Sequence, residues 1–254
     1  MLLAADIGNT NITLGVFEDD KLRATWRIAT DVDKMPDEYA VLLMNLLPHQ
    51  GLNISDIKEA ALCSVVPPLV PIFQEVCQRY LGTSALVVGT GTRTGVRILY
   101  EDPRQVGPDR IADAAAAFRL NGGPVIVVDF GTATVFDAIS KEGNYLGGAI
   151  APGIRMAADA LFRQTAVLPR IELVAPKQAI GRNTVSSMQS GIIFGYVGLI
   201  EGIIARFRKE LGEPARVVAT GGLAEIIAKE TPVIDIVDLN LTLVGLRLIH
   251  ELNR

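Results

Sequence analysis

The sequence has few of the residues that build disulfides and transition-metal centres. Only 2 cysteines and 2 histidines occur among its 254 residues. Cys63 and Cys77 form no CxxC pair, and His49 and His250 lie far apart along the chain. The sequence therefore lacks the residues needed for a disulfide framework, a zinc site or a Cys/His nucleophile pair. We assign neither histidine a role.

Positive charge and long uninterrupted apolar runs are also scarce. The chain has 24 Lys and Arg residues against 28 Asp and Glu residues. No basic cluster with interleaved aromatic residues occurs, so we expect no nucleic-acid partner. The start, Met1 to Asp6, lacks the basic residues of a secretory signal, and the longest apolar region, 191–205, is interrupted by Glu201. We expect this region to fall short of a membrane span, which predicts a cytoplasmic protein with no membrane partner.

The sequence does contain a repeated motif, with one copy in each half. The copies are Asp-Ile-Gly-Asn-Thr-Asn at 6–11 and Asp-Phe-Gly-Thr-Ala-Thr at 129–134. Each follows an apolar run that is typical of a buried strand. Glycine permits a tight turn, backbone N–H groups and hydroxyls can face phosphate oxygens, and the Asp can hold a cation. Either Asp alone could simply cap a turn, but the pair favours a site that binds phosphate twice.

Apolar residues make up 49% of the chain, which predicts a compact globule with an extensive subunit contact. The hydrophobic pattern predicts an α/β fold of two similar halves, 1–120 and 121–254. In the first half we expect strands at 2–7, 12–17, 22–28, 60–66 and 85–88, and helices at 36–47, 69–81 and 111–120. In the second half we expect strands at 125–128, 134–139, 145–150 and 216–219, and helices at 154–162, 187–211, from 223 onward and at 241–252.

Three further segments are less specific. The Gly- and Thr-rich stretch 89–95 lacks the Gly-Lys-Ser/Thr ending of a P-loop and the GxGxxG spacing, so we expect a surface loop. Thr220-Gly221-Gly222 follows a predicted strand, where backbone amides can approach a ligand, but Gly-Gly is an ordinary turn. The helix around 190–205 is apolar on most sides, which fits either a core helix or a subunit interface.

Asp109 lies in Gly-Pro-Asp-Arg, directly before an Ala-rich helix. One interpretation is an N-cap carboxylate that accepts hydrogen bonds from free amides of the helix. The other is a general base that takes a proton from a substrate hydroxyl during phosphoryl transfer, while Arg110 binds an anionic part of the substrate. The spacing alone does not decide between them.

Taken together, these motifs resemble the type III pantothenate kinases of the acetate kinase/sugar kinase/Hsp70/actin superfamily. The resemblance follows the whole chain in order, through 6–11, 107–110, 129–134, Gly147-Gly148 with Pro152-Gly153, and 220–222. Gly-Pro-Asp-Arg before an Ala-rich helix is the specific motif. The resemblance implies duplicated ribonuclease-H-like (actin-like ATPase) domains with a nucleotide cleft between them. It also implies phosphorylation of pantothenate by ATP, the first step of coenzyme A biosynthesis.

The resemblance further implies roles for individual residues. Asp109 would accept the proton, Asp6 would hold Mg²⁺ together with ATP, and Asp129 would bind K⁺ or NH₄⁺. ATP would contact Asp6, Ile7, Gly8, Asn9, Thr10, Asn11, Ile12, Thr13 and Thr132. Pantothenate would contact Tyr100, Gly107, Pro108, Asp109, Arg110 and Thr184. The family completes its site across a homodimer, so Thr184 would come from the neighbouring subunit.

Two other functions are compatible with such a fold. A phosphoanhydride hydrolase would need a catalytic Glu, for which the sequence has no strong candidate. A regulator without catalysis would have no chemical need for Asp6, Asp109 and Asp129 together. A monovalent cation also suits this chain, because no Lys accompanies either phosphate turn. The residues therefore favour the kinase.

Overall fold

The computed structural model describes all 254 residues, and they form two compact units. The first unit contains Met1–Val96, Glu101–Ala116 and Leu241–Arg254. The second contains Arg97–Tyr100 and Ala117–Asn240. These units differ from the continuous segments 1–120 and 121–254 expected from the sequence, because the last helix belongs to the first unit.

The first unit is built on a mixed five-stranded sheet with the order β3-β2-β1-β4-β5. Its strands are β1 (Leu2–Ile7), β2 (Asn11–Glu18), β3 (Lys21–Ala29), β4 (Glu59–Ser64) and β5 (Ala85–Val87). The first three form an antiparallel meander, whereas β4 is parallel to β1 and β5 is parallel to β4. The predicted three-strand opening is thus confirmed.

The protein has seven α-helices, and the fifth is by far the longest of them. They are α1 (Pro36–Leu46), α2 (Leu69–Val76), α3 (Pro108–Asn121), α4 (Ile154–Gln164), α5 (Thr184–Leu211), α6 (Ala224–Ala228) and α7 (Leu241–Leu252). The boundaries of α7 are those predicted. The helix predicted at 69–81 is helical throughout, but its last turn, Cys77–Leu81, is π-helical and ends at Gly82 in the left-handed region, with φ +65°.

Alternation along β1 divides the first unit into two apolar layers, because successive side chains of a strand point to opposite faces. Leu3, Ala5 and Ile7 pack in one core with residues of α1 and α2. Leu2 and Ala4 pack on the other face with residues of α3 and α7. This second layer brings the start of α3 towards the end of β1, where the first motif lies.

The second unit repeats this topology. Its strands are β6 (Arg97–Ile98), β7 (Val125–Phe130), β8 (Ala133–Ile139), β9 (Asn144–Pro152), β10 (Arg216–Thr220) and β11 (Ile236–Val237). The order β11-β10-β7-β8-β9-β6 reproduces that of the first sheet, with β6 added beside β9. Again three antiparallel strands are followed by two parallel ones. The predicted duplicated ribonuclease-H-like fold is confirmed.

The long helix α5 begins three residues before the predicted start, because the side chain of Asn183 caps it and accepts a 2.9 Å hydrogen bond from the backbone N–H of Ser186. It is 28 residues long and apolar enough to cross a membrane by length and composition alone. Such a test is weak evidence, since core helices of soluble proteins also pass it. One face of α5, including Ile193, Ile200 and Ile204, packs in the core of the second unit.

Candidate active site

The first motif forms a tight turn directly after β1. The backbone N–H of Gly8 donates to the carbonyl of Asn11 over 3.0 Å, and a side-chain carbon on Gly8 would lie only 3.0 Å from that same oxygen. Thr30, just after β3, donates from its hydroxyl to the carbonyl of Gly8 over 2.6 Å. Asn9 and Thr10 at the tip of the turn are exposed. These two hydrogen bonds therefore stabilise the turn where it leaves β1, and the residues at its tip are accessible to solvent.

Asp6 lies in a row of side chains that crosses four strands. Its direct partners are Cys63 in β4 and Thr13 in β2, and the partner of Thr13 in β3 is Arg27. Directly opposite residues project from the same face of a sheet. The Cys63 thiol accordingly donates a hydrogen bond to Oδ1 of Asp6 over 3.3 Å. Cys63 and Arg27 were not predicted as neighbours of Asp6, because nothing local to β3 or β4 shows that they align with it.

The Asp6 carboxyl group is electrostatically unfavourable as an anion in the unliganded protein. Burial, and then the nearby charge of Asp109, raise the pKa of Asp6 to about 7, although the Cys63 thiol and Arg27 act in the opposite direction. Burial and the Asp6 charge hold the pKa of Cys63 well above its usual range. The thiol therefore remains protonated and can act as a donor.

Asp109 is the second residue of α3, after Pro108. The carbonyl of Gly107 accepts the first helical hydrogen bond, from the N–H of Ile111 over 3.2 Å. Gly107 therefore occupies the N-cap position and Asp109 lies in the first turn, although the Asp109 carboxylate still accepts a free amide of the helix, as the N-cap interpretation expected. Oδ1 of Asp109 accepts from the backbone N–H of Arg110 over 2.8 Å. A side-chain carbon on Gly107 would collide with Oδ1, so glycine leaves room for the present position of the carboxylate.

Burial also raises the pKa of Asp109, while the backbone N–H and the guanidinium of Arg110 oppose that rise. A carboxylate whose pKa lies above its ordinary value is a stronger base. Asp6 and Asp109 form an electrostatically coupled pair at the end of β1 and the start of α3. Such a pair can divide two tasks, with one group facing a cation and the other taking a proton.

The second motif encloses the Asp129 carboxylate between glycine turns. Asp129 lies opposite Thr220 in the parallel pair β7/β10. Gly221 follows with φ +87°, and a side-chain carbon there would collide with Oδ1 of Asp129 and would lie 2.7 Å from the backbone of Phe130. A side-chain carbon on Gly131 would lie 3.1 Å from Oδ2. The fold therefore brings the weak 220–222 signal against the second motif.

Tyr100 follows the short strand β6 in the second unit and is partly buried. Its ring centroid lies 6.3 Å from that of Tyr145, whose hydroxyl donates to the buried carboxylate of Asp137 over 2.6 Å. A side-chain carbon on Gly147 would lie 3.4 Å from the Tyr100 ring. Tyr145 and Asp137 were not predicted, because no pattern near either residue indicates a contact with Tyr100.

Thr184 is the first residue of α5 and is exposed. It lines an open cavity of about 600 Å³ together with Leu161, Leu168 and Met188. The residues predicted to bind pantothenate are thus distributed over both units, with 107–110 in the first and Tyr100 and Thr184 in the second. Thr132, predicted to contact ATP, is exposed in the turn after β7. The roles of these residues stay predictions.

Each unit has a ribonuclease-H-like topology, with an aspartate near the end of its first strand and a glycine turn after it. Among solved structures, the chain is similar to a ROK hexokinase from Thermus thermophilus, with a TM-score of 0.53 and 14% identity over 100% of this chain and 99% of that one. It is also similar to a conserved Campylobacter jejuni protein named as a Baf family transcriptional activator, with a TM-score of 0.64 and 21% identity over 99% and 98% of the chains. At these identities the likeness shows the fold alone.

Sequence comparison is more specific. The model of the type III pantothenate kinase family matches residues 2–206. A type III pantothenate kinase from Moorella thermoacetica is 54% identical over 253 residues, which cover 100% of both proteins. The chain belongs to the type III pantothenate kinase family, as its motifs predicted. It is a phosphotransferase of coenzyme A biosynthesis, with ATP and pantothenate as substrates.

Proposed function

We propose that this protein transfers the γ-phosphoryl group of ATP to the primary hydroxyl of pantothenate, with Asp109 as the proton acceptor. The observation that carries this proposal is the environment of Asp109. Its carboxyl group is partly buried at the start of α3, has a raised pKa and interacts with Asp6. Phosphoryl transfer needs little covalent chemistry from the protein, so one positioned base and a set of phosphate-binding groups are sufficient.

In this proposal residues 6–13 and Thr132 bind ATP, and the Asp6 carboxylate holds Mg²⁺ with the phosphates. The coupled Asp6 and Asp109 carboxyl groups fit a cation, because a positive charge beside Asp6 would relieve their repulsion. Mg²⁺ is commonly held by one or two protein carboxylates plus substrate phosphates. When bound, it would neutralise charge on the transferring phosphoryl group.

Pantothenate would lie against Tyr100, Gly107, Pro108 and Arg110. The Arg110 guanidinium suits the pantothenate carboxylate, because arginine binds carboxylates with a fixed, planar pair of donors. Asp109, which directly precedes Arg110 in the sequence, would then face the hydroxyl that is phosphorylated. Tyr100 is supported from behind by Tyr145, which limits its movement.

Asp129 would bind K⁺ or NH₄⁺. Its carboxylate oxygens lie close to Gly131 and Gly221, so backbone groups can approach the same point. Carboxylate and backbone carbonyl oxygens are suitable ligands for hard cations such as K⁺. A cation there would supply positive charge that the chain does not provide as lysine.

The protein would act as a cytoplasmic homodimer. The second unit exposes large apolar side chains on α4 and on the segment between α4 and α5, including Val167 at 86%, Ile180 at 83% and Met156 at 50% exposure. Exposed apolar patches of this kind mark protein interfaces. Thr184 lines a cavity with Leu161 and Leu168, which belong to this same part of the chain, and this supports the proposal that it completes the pantothenate site of the neighbouring subunit.

The decisive experiment is an acceptor assay with the purified protein, MgATP and K⁺. Phosphopantothenate detected by mass spectrometry is the expected product, with pantetheine tested as a second acceptor. A hydrolase would instead release phosphate from ATP without any acceptor, and a non-catalytic regulator would leave ATP intact. If correctly folded protein forms no phosphopantothenate, the proposal is rejected.

A further inference from the structure

The Asp6 carboxylate of the first motif accepts a hydrogen bond from a side chain of a different strand, β4. Cys63 is fully buried and lies opposite Asp6 in the parallel β1/β4 register. Its thiol donates to Oδ1 of Asp6 over 3.3 Å. The backbone of β1 is paired with β2 and with β4 at this position, which fixes the register between Asp6 and Cys63.

This contact leaves the two carboxylate oxygens of Asp6 unequal. Oδ1 faces the thiol, and the interior beyond it is filled by strand β4 and the apolar layer that contains Cys63. A hydrogen bond to one oxygen sets the rotation of the carboxylate plane about its last side-chain bond. Oδ2 is the oxygen that the thiol does not contact, and it belongs to the residue that directly precedes the turn 7–11.

We infer that Cys63 is a positioning residue for nucleotide binding: its thiol holds the Asp6 carboxylate in the orientation in which Oδ2 meets the cation that accompanies ATP. This inference rests on the proposed function, in which Asp6 takes part in binding Mg²⁺ with ATP. It adds a residue that the sequence motif does not contain. It also predicts that the donor, rather than the sulfur atom, is what matters.

The chain offers a matched control in its second cysteine. Cys77 is equally buried, but it packs in the other apolar layer of the first unit, among residues of α1 and α2. No carboxylate is among its hydrogen-bond partners, and burial alone raises the pKa of its thiol to about 12. Substitutions at Cys77 therefore report the cost of changing a buried thiol without touching Asp6.

The experiment compares Cys63→Ala and Cys63→Ser with Cys77→Ala and Cys77→Ser. Binding of ATP is measured by titration calorimetry at a series of Mg²⁺ concentrations, with K⁺ present and pantothenate absent. Removing the donor in Cys63→Ala should raise the Mg²⁺ concentration for half-maximal ATP binding by about threefold to tenfold. Cys63→Ser keeps a donor and should stay close to wild type, as should both Cys77 variants. Thermal melts of each variant establish that it is folded.

An unchanged Mg²⁺ requirement in folded Cys63→Ala would overturn the inference, and so would equal shifts in Cys63→Ala and Cys63→Ser. If Cys63→Ala does not fold, Cys63→Val fills the space without a donor and takes its place, with the same expected shift. Failure of the proposed function is distinguishable, because wild-type protein would then not bind MgATP or would form no phosphopantothenate.

Discussion

Thr242 donates a hydrogen bond of 2.7 Å to the buried carboxylate of Asp113, which lies 129 residues earlier in the chain. This bond joins the last helix, α7, to the helix whose first turn carries Asp109. Together with the packing of Leu243 and Leu246 against Ala112 and Ala115, it explains why the end of the chain belongs to the first unit.

Removing that donor should destabilise the first unit. Thr242→Val leaves the buried Asp113 carboxylate with one hydrogen bond fewer, and we expect the free energy of unfolding to fall by about 1–3 kcal/mol. Urea unfolding followed by circular dichroism measures it. Thr25→Val, at an exposed position of β3, is the control and should change stability by less than about 0.5 kcal/mol. Equal effects of the two substitutions would contradict a structural role for the bond.

Replacing the proposed base should remove turnover while substrates still bind. Asp109→Asn keeps the shape of the side chain but cannot accept the proton, and we expect kcat to fall by about a hundredfold or more. Steady-state kinetics and ATP binding measure the two effects separately. Because burial raises the pKa of Asp109, wild-type activity should also decline as the pH falls through that raised value. Asp102→Asn, at a surface carboxylate paired with Arg104, should retain turnover; a similar loss there would count against the assignment.

The unliganded protein should become more stable when Asp6 is neutralised. The folded pKa of Asp6, about 7, lies above the ordinary 3.8, so its contribution to folding is fully present below about pH 4 and is lost as the pH rises to about 7. Asp6→Asn avoids that loss and should raise the melting temperature at about pH 8 by at least about 2 °C, but much less at about pH 4.

The control for this comparison is Asp33→Asn, at an exposed carboxylate, which should shift the melting temperature little at either pH. Differential scanning calorimetry without ATP or Mg²⁺ is the measurement. An Asp6→Asn variant that melts below wild type at about pH 8 would show that its burial is not unfavourable. The same variant should bind MgATP poorly, since the cation would lose its carboxylate.

Gly221 should be required for the response to K⁺. A side-chain carbon in Gly221→Ala would collide with Asp129 and with the backbone of Phe130, so the carboxylate must move. We expect the K⁺ concentration for half-maximal activity to rise by about tenfold. Gly212→Ala is a matched control, because Gly212 also has a positive φ, +69°, but has nothing within 4 Å of an added carbon. If both variants respond to K⁺ alike, or if Na⁺ replaces K⁺ without loss in wild type, the cation role of Asp129 fails.

A shared site should be visible in mixed dimers. Thr184→Ala and Asp109→Asn subunits, co-expressed with different tags and purified as heterodimers, would have one complete site if Thr184 serves the neighbouring subunit. We expect about half of the wild-type turnover per dimer at low pantothenate, because one of two symmetric sites is intact. Homodimers of each variant are the baseline. Turnover no higher than the baseline would favour a site within one chain.

The sequence alone determined the local elements and the family. Alternation and helical spacing predicted β1 to β3, their repeat as β7 to β9, and α7, because these patterns depend on neighbours a few residues apart. The motifs at Asp6, Asp109 and Asp129 named the chemistry for the same reason, since each is a short segment with its own turn. The strands β6 and β11, two residues each, gave no such signal.

Only the tertiary structure decided which distant residues meet. Cys63 reaches Asp6, Gly221 closes on Asp129 and Thr242 reaches Asp113 through strand order and helix docking. A period of two or of 3.6 states which face a side chain occupies but not which strand or helix will cover it. Which strand or helix covers a given face depends on how all the apolar faces of the chain are buried together. No single segment of the sequence contains that information.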